Sequence, residues 1–207
     1  MNLLVFCGDR WHPASVVRAG LQPIETQYHL DWVEDVSEWD PARLADYPLI
    51  LFAKSNNITE TNEDPWMTPV VEAAFLQYVR AGGNLVVIHS GSAGYTETPV
   101  FSHLLGGIFE HHPEQCLVEY APVPVEPLAK AILPFTKRDE HYFMTMLDPQ
   151  VEVFLTSSSE NGAQSAGWTR REGKGKVGML TPGHNLDVWL HPSFQTALTN
   201  LIEWCLN

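Results

Sequence analysis

Three short runs made entirely of apolar residues constrain this chain more than anything else in it: Leu3-Leu4-Val5-Phe6-Cys7, Leu49-Ile50-Leu51-Phe52-Ala53 and Leu85-Val86-Val87-Ile88. A strand with one wet face alternates apolar and polar residues. A strand without alternation is buried on both faces, as in parallel sheets covered by helices. Helical patterns lie between the runs. One starts near Pro13-Ala14-Ser15, carries Val16, Val17 and Leu21, and is broken by Pro23. Another places Met67, Val70, Val71, Ala74, Phe75, Tyr78 and Val79 on one stripe and stops at Gly82-Gly83. With a further strand near Tyr28 to Val33, the order predicts an α/β fold: a flavodoxin-like, mostly parallel sheet with helices on both faces and right-handed crossovers.

The second half is less regular. A short helix near Phe101 to Leu105, strands near Leu117 to Tyr120, Val151 to Thr156, Ser165 to Thr169 and Lys176 to Leu180, and proline-rich connections from Pro122 to Pro134 are expected. The chain closes on a helix from Pro192, with Phe194, Leu198, Leu201, Ile202 and Cys205 on one stripe. No repeat or linker divides residues 1–207, and 44% hydrophobic residues suffice for one core, so a single domain is expected.

Composition removes several classes of function. Twelve Lys and Arg against 25 Asp and Glu leave a net charge of −13, which repels phosphate backbones, so nucleic acid is not expected as a partner. The basic group Arg170-Arg171 with Lys174 and Lys176 is the local exception, and its interleaved Gly173 and Gly175 suggest a hairpin turn with solvated charges. No apolar stretch approaches the roughly 20 residues of a membrane span, and the start lacks the basic region of a signal peptide. Three cysteines without CxxC spacing point to reduced thiols, and so to a soluble cytoplasmic protein; homo-oligomerisation stays open.

Ligands of such sheets bind outside the carboxyl ends of the strands. That rule nominates the loops Gly8 to Pro13, Ala53 to Pro65 and His89 to Tyr95. The first offers Asp9, Arg10, Trp11 and His12 within a few residues; its single glycine gives no phosphate cradle. The third opens His89-Ser90-Gly91, a tight turn able to present a side chain at the sheet edge. Ser90 could serve as a nucleophile, although no Ser-His-acid spacing supports it. Further histidines stand in His111-His112-Pro113, Asp139-Glu140-His141-Tyr142 and Thr181-Pro182-Gly183-His184-Asn185. Neighbours on an extended segment point oppositely, so only one of Glu140 and His141 should face a site.

The order of these features resembles the trehalose-utilisation, or ThuA-like, proteins, whose fold is that of the class I glutamine amidotransferases. The resemblance spans most of the chain. It is carried by the strand and turn Leu85 to Gly91, by Gly106-Gly107 with Phe109 and His112-Pro113, by Asp139 to Tyr142, and most strongly by Trp168 to Val177, Pro182-Gly183-His184, Trp189 and the closing helix to Trp204. It implies carbohydrate processing, on trehalose-like disaccharides or 3-keto sugars. Matched by position, His89 stands where the amidotransferases keep a cysteine nucleophile, so glutaminase activity is not expected.

The resemblance also implies His89, His112, Glu140, Tyr142 and His184 as site residues, with His12 added from the first loop. Together these readings predict a divalent metal, zinc for example, held by His12, Glu140 and His184, with His89, Glu140 and His184 catalytic. Trp11, His12, Ser90, His112 and Tyr142 would then contact a small-molecule sugar. Tyr142 and Asn185 are expected to orient Glu140 and His184. A metal-free sugar-binding or regulatory module, and an amidase-like hydrolase using Ser90, are the alternatives.

Overall fold

The computed structural model describes residues 1–37 and 39–207. Its strands are β1 (Asn2–Phe6), β2 (His29–Val33), β3 (Leu49–Phe52), β4 (Asn84–Ile88), β5 (Gly107–His111), β6 (Cys116–Pro122), β7 (Phe135–Asp139), β8 (Phe143–Met146), β9 (Glu152–Ser159), β10 (Gly162–Glu172) and β11 (Gly175–Leu180). Nine of them form one sheet in the order β2-β1-β3-β4-β11-β10-β9-β6-β7, and β5 pairs with β8 in a separate two-stranded sheet.

The apolar runs do what their lack of alternation predicts. Leu3, Val5, Cys7, Leu49, Leu51, Val86 and Ile88 enter one core cluster, and Leu4, Phe6, Ile50, Phe52, Leu85 and Val87 enter the other. Helices α1 (Ala14–Leu21), α4 (Leu186–Trp189) and α5 (Pro192–Leu206) supply the first cluster, whereas α2 (Pro69–Ala81) and α3 (Pro99–Leu105) supply the second. Helix α2 starts two residues after Met67: the Thr68 hydroxyl accepts from the Val71 amide, and Pro69 needs no amide partner in the first turn. It ends at Gly82, whose φ of +119° is open to glycine but not to a side chain.

The expectation of a mostly parallel sheet needs correcting. β2, β1, β3, β4 and β11 are parallel, but β11-β10, β10-β9, β9-β6 and β6-β7 are all antiparallel. Strands β5, β7 and β8 fall in segments whose local pattern showed no strand. β7 reads Phe-Thr-Lys-Arg-Asp and keeps only its ends buried, so its apolar signal is too short to see. This antiparallel half matters for the site. Four reversals of direction separate β11 from β7, so β7 again runs in the sense of β11 and delivers its carboxyl end to the same sheet edge.

The β10–β11 hairpin forms as the glycines suggest, with Glu172 opposite Gly175. Arg170, however, is no solvated turn charge. Its guanidinium donates to Asp148 at 2.9 Å, to Glu172 at 3.0 Å and to the Leu104 carbonyl at 2.9 Å. Among the described residues no helix is long and apolar enough to cross a membrane.

Candidate active site

At the end of β1 the chain turns through Gly8, and Asp9 follows with no exposed surface. A buried carboxylate is tolerable only when its oxygens are filled. Asp9 Oδ1 accepts from the amides of Trp11 and His12, both at 3.0 Å, and from the His12 ring Nδ1 at 2.8 Å; Oδ2 accepts from the Ser55 amide at 3.0 Å. Asp9 thus ties the first loop to the loop after β3 and fixes the His12 ring with Nε2 outward. Burial opposes both charges. The His12 contact nevertheless holds the Asp9 carboxyl down at about 2, and Asp9 together with Glu140 lifts His12 to about 9.

β4 ends in the sharp turn His89–Ser92. His89 sits at φ +44°, a strained value for a residue with a side chain, and Gly91 follows where a Cβ would lie 2.1 Å from the Phe52 carbonyl oxygen. The turn is an elbow that lifts an imidazole over the sheet edge. His89 Nδ1 lies 2.7 Å from the Thr181 carbonyl oxygen. A carbonyl can only accept, so Nδ1 carries the hydrogen and Nε2 is left with its lone pair. Burial pulls His89 toward the neutral form. Its ring stacks on Tyr142, with centroids 4.2 Å apart.

Both Nε2 atoms, of His12 and of His89, point toward Glu140, the residue after β7. Glu140 Oε2 lies 3.3 Å from His89 Nε2 and 3.9 Å from His12 Nε2, while Oε1 lies 3.1 Å from His184 Nδ1 and 3.6 Å from His112 Nε2. His12 Nε2, His89 Nε2 and His184 Nδ1 are buried and have no hydrogen-bond partner. One donor atom from each of His12, His89, Glu140 and His184 falls within 4.8 Å of the others. Burial alone would raise the Glu140 carboxyl, but His12, His184 and His89 outweigh it and hold it far below the carboxylate range. Lone pairs facing a carboxylate repel unless positive charge sits among them, so this arrangement calls for protons or a cation.

His12, Glu140 and His184 of the cluster floor a cavity of about 670 Å³, walled by Trp11, Asn56, Asn57, Phe109, His112 and Tyr142. Trp11 is 65% exposed and offers a ring at the rim. Burial, with Glu140 nearby, keeps the Tyr142 hydroxyl protonated. His112 turns Nδ1 to the Pro113 carbonyl at 2.8 Å and leaves Nε2 toward Glu140.

The sequence-nominated His12, His89, His112, Glu140, Tyr142 and His184 are therefore brought together, with Trp11 at the mouth. Ser90 is not: it is 2% exposed and does not line the cavity. His141 turns away from Glu140, as alternation requires, and its ring nitrogens meet Ser159 at 2.7 Å and Ser157 at 3.0 Å. Asn185 does not orient His184; its amide donates to Gln115 and to the Arg138 carbonyl. Asp139, which sequence reasoning passed over, accepts the His184 amide at 3.0 Å. The adjacent acidic pair Asp139-Glu140 was the available signal.

A family model described as ThuA, trehalose utilisation, matches residues 2–205. Among solved structures, a protein of Parabacteroides merdae described as ThuA-like superposes with a TM-score of 0.78 at 18% identity, over 100% of this chain and 90% of that one. A protein of Bacteroides uniformis with the same description gives 0.72 at 22% identity, over 99% and 91%. A cytoplasmic protein of Salmonella typhimurium gives 0.73 at 15% identity, over 99% of both chains. At these identities the likeness shows the fold alone. The search of curated protein sequences finds no match.

Proposed function

The chain belongs to the ThuA, or trehalose-utilisation, family, which implies a carbohydrate-related role, and we propose that it is a sugar-active enzyme whose His12, His89, Glu140 and His184 hold a divalent metal ion. One observation carries this reading: three buried imidazole nitrogens without a hydrogen-bond partner converge on one carboxylate at the floor of a cavity. Two of the rings are aimed by partners on their other nitrogen, Asp9 for His12 and the Thr181 carbonyl for His89. This outer shell is what metal-binding histidines have. Imidazole with carboxylate suits zinc among common cations. When bound, such an ion polarises a carbonyl or hydroxyl oxygen.

The chain's own residues supply the rest. Tyr142 keeps its proton and can donate to a sugar oxygen, and His112 Nε2 can take or return a proton at the cavity wall. Among the described residues no Lys or Arg lines the cavity, which favours a neutral disaccharide or keto sugar over a phosphorylated one. Trp11 gives such a ligand an aromatic face.

The parallel strands in the order β2-β1-β3-β4-β11 support a flavodoxin-like sheet of the glutamine amidotransferase type. Core clusters drawing on residues from Leu3 to Cys205 and from Leu4 to Met179 support one domain, and three unpaired cysteines suit the cytoplasm.

Elemental analysis of untagged protein, followed by calorimetry with disaccharides and their 3-keto derivatives, tests the proposal. A stoichiometric transition metal, with sugar binding weakened by its removal, is expected. Equal sugar affinity without metal would replace the enzyme by a binding module, and neither metal nor sugar binding would refute both.

A further inference from the structure

We propose that Asp139 is a positioning residue that joins the β7 end carrying Glu140 to the segment carrying His184, and so sets the spacing of the cluster. Its consequence for metal affinity rests on the proposed cation site; its positioning role does not.

Asp139 has no exposed surface and no ion-pair partner among the described residues. Its charge is met by dipoles instead. Oδ1 accepts the His184 amide at 3.0 Å, and Oδ2 accepts the Gly183 amide at 3.0 Å and the Tyr120 hydroxyl at 2.8 Å. Two successive backbone amides on the two oxygens of one group need a carboxylate, because an amide side chain has only one acceptor oxygen.

The segment so held, Thr181 to His184, serves two rings of the cluster. Its Thr181 carbonyl aims His89, and His184 supplies a donor itself. Gly183 adopts φ +135°, closed to other residues, and its carbonyl accepts from Trp189 Nε1 at 2.6 Å. The backbone there is clamped from both sides, by Asp139 and by Trp189. Asp139 immediately precedes Glu140, so moving it would shift Glu140 and His184 relative to each other.

The test compares Asp139→Asn with Tyr120→Phe, which removes one bond to the same carboxylate but leaves both amides held. In metal-free protein, amide hydrogen exchange at Gly183 and His184 should rise at least about tenfold in Asp139→Asn, with the His12 amide unchanged and Tyr120→Phe near wild type. With cobalt as probe, Asp139→Asn should bind about 10–100-fold more weakly. Its visible spectrum should change as that of His184→Ala does, and the double variant should change little further. If Asp139→Asn does not fold, Asp139→Glu, with both oxygens displaced by a methylene, takes its place in the same measurements. Unchanged exchange at both amides, exchange raised equally across the sheet, or matching changes in Tyr120→Phe would overturn the proposal. Wild-type protein that takes up no cobalt would refute the cation site, and the exchange data would still decide the role of Asp139.

Discussion

Asp9→Asn removes the charge from a buried carboxylate both of whose oxygens are in use, and the structure sets the size of the loss. The carboxyl falls from 3.8 to about 2, and the charged form is therefore favoured by about 2 kcal/mol, at about 1.4 kcal/mol per tenfold change in acidity. His12 moves further because Glu140 also faces it, so Asp9 is the better measure of the pair. The amide also turns one NH2 toward a backbone donor among Trp11, His12 and Ser55, which costs about 1–3 kcal/mol. A total of about 3–5 kcal/mol corresponds to about 6–20 °C in melting temperature for a chain of this length. The sign follows from the direction of each shift. The depressed Asp9 carboxyl contributes fully above 3.8 and loses its contribution as pH falls through about 2. The raised His12 contributes fully below 6.5 and loses its contribution as pH rises through about 9. Denaturation of metal-free protein at pH 6 should therefore show the largest gap between wild type and variant, narrowing toward pH 2 and again toward pH 9. A loss under about 0.5 kcal/mol at pH 6, within the range of an ordinary surface substitution, or a gap independent of pH, would refute the reasoning.

Glu140→Gln and His184→Ala should each remove most bound metal or turnover while leaving the circular dichroism spectrum intact, and the double variant should lose little more, because both act on one site; additive losses would separate them. Trp11→Ala should weaken sugar binding by about 1 kcal/mol in calorimetry without altering metal content, since the ring lies at the rim and not in the cluster. Glutamine should release no ammonia above a heat-killed control, because the elbow presents His89, and release abolished by Ser90→Ala would overturn this. Burial pushes the Cys7 and Cys205 thiols up to about 12, so at pH 8 a thiol reagent should label both far more slowly in native than in unfolded protein.

The sequence by itself determined the parallel half of the molecule and the residue types at its edge. Runs such as Leu3 to Cys7 and Leu85 to Ile88 have no polar face to expose, so only a sheet covered on both sides can hold them. The rule that ligands sit at carboxyl ends then pointed to His12 and His89, and alternation correctly separated Glu140 from His141. Ser90 was nominated by the same turn, and it is His89, not Ser90, that joins the cluster, although both are buried. The resemblance implied that Glu140 and His184 share a site, but only the tertiary structure supplies the reason that they meet. Four antiparallel reversals through β10, β9, β6 and β7 return the chain to the edge where β11 ends, and strand pairing between distant segments leaves no local periodicity to read. It alone also assigned Asp139 and Asp9 to holding loops rather than reacting: a carboxylate looks the same in sequence whether its oxygens face backbone amides or a ligand, and burial and partners make the difference.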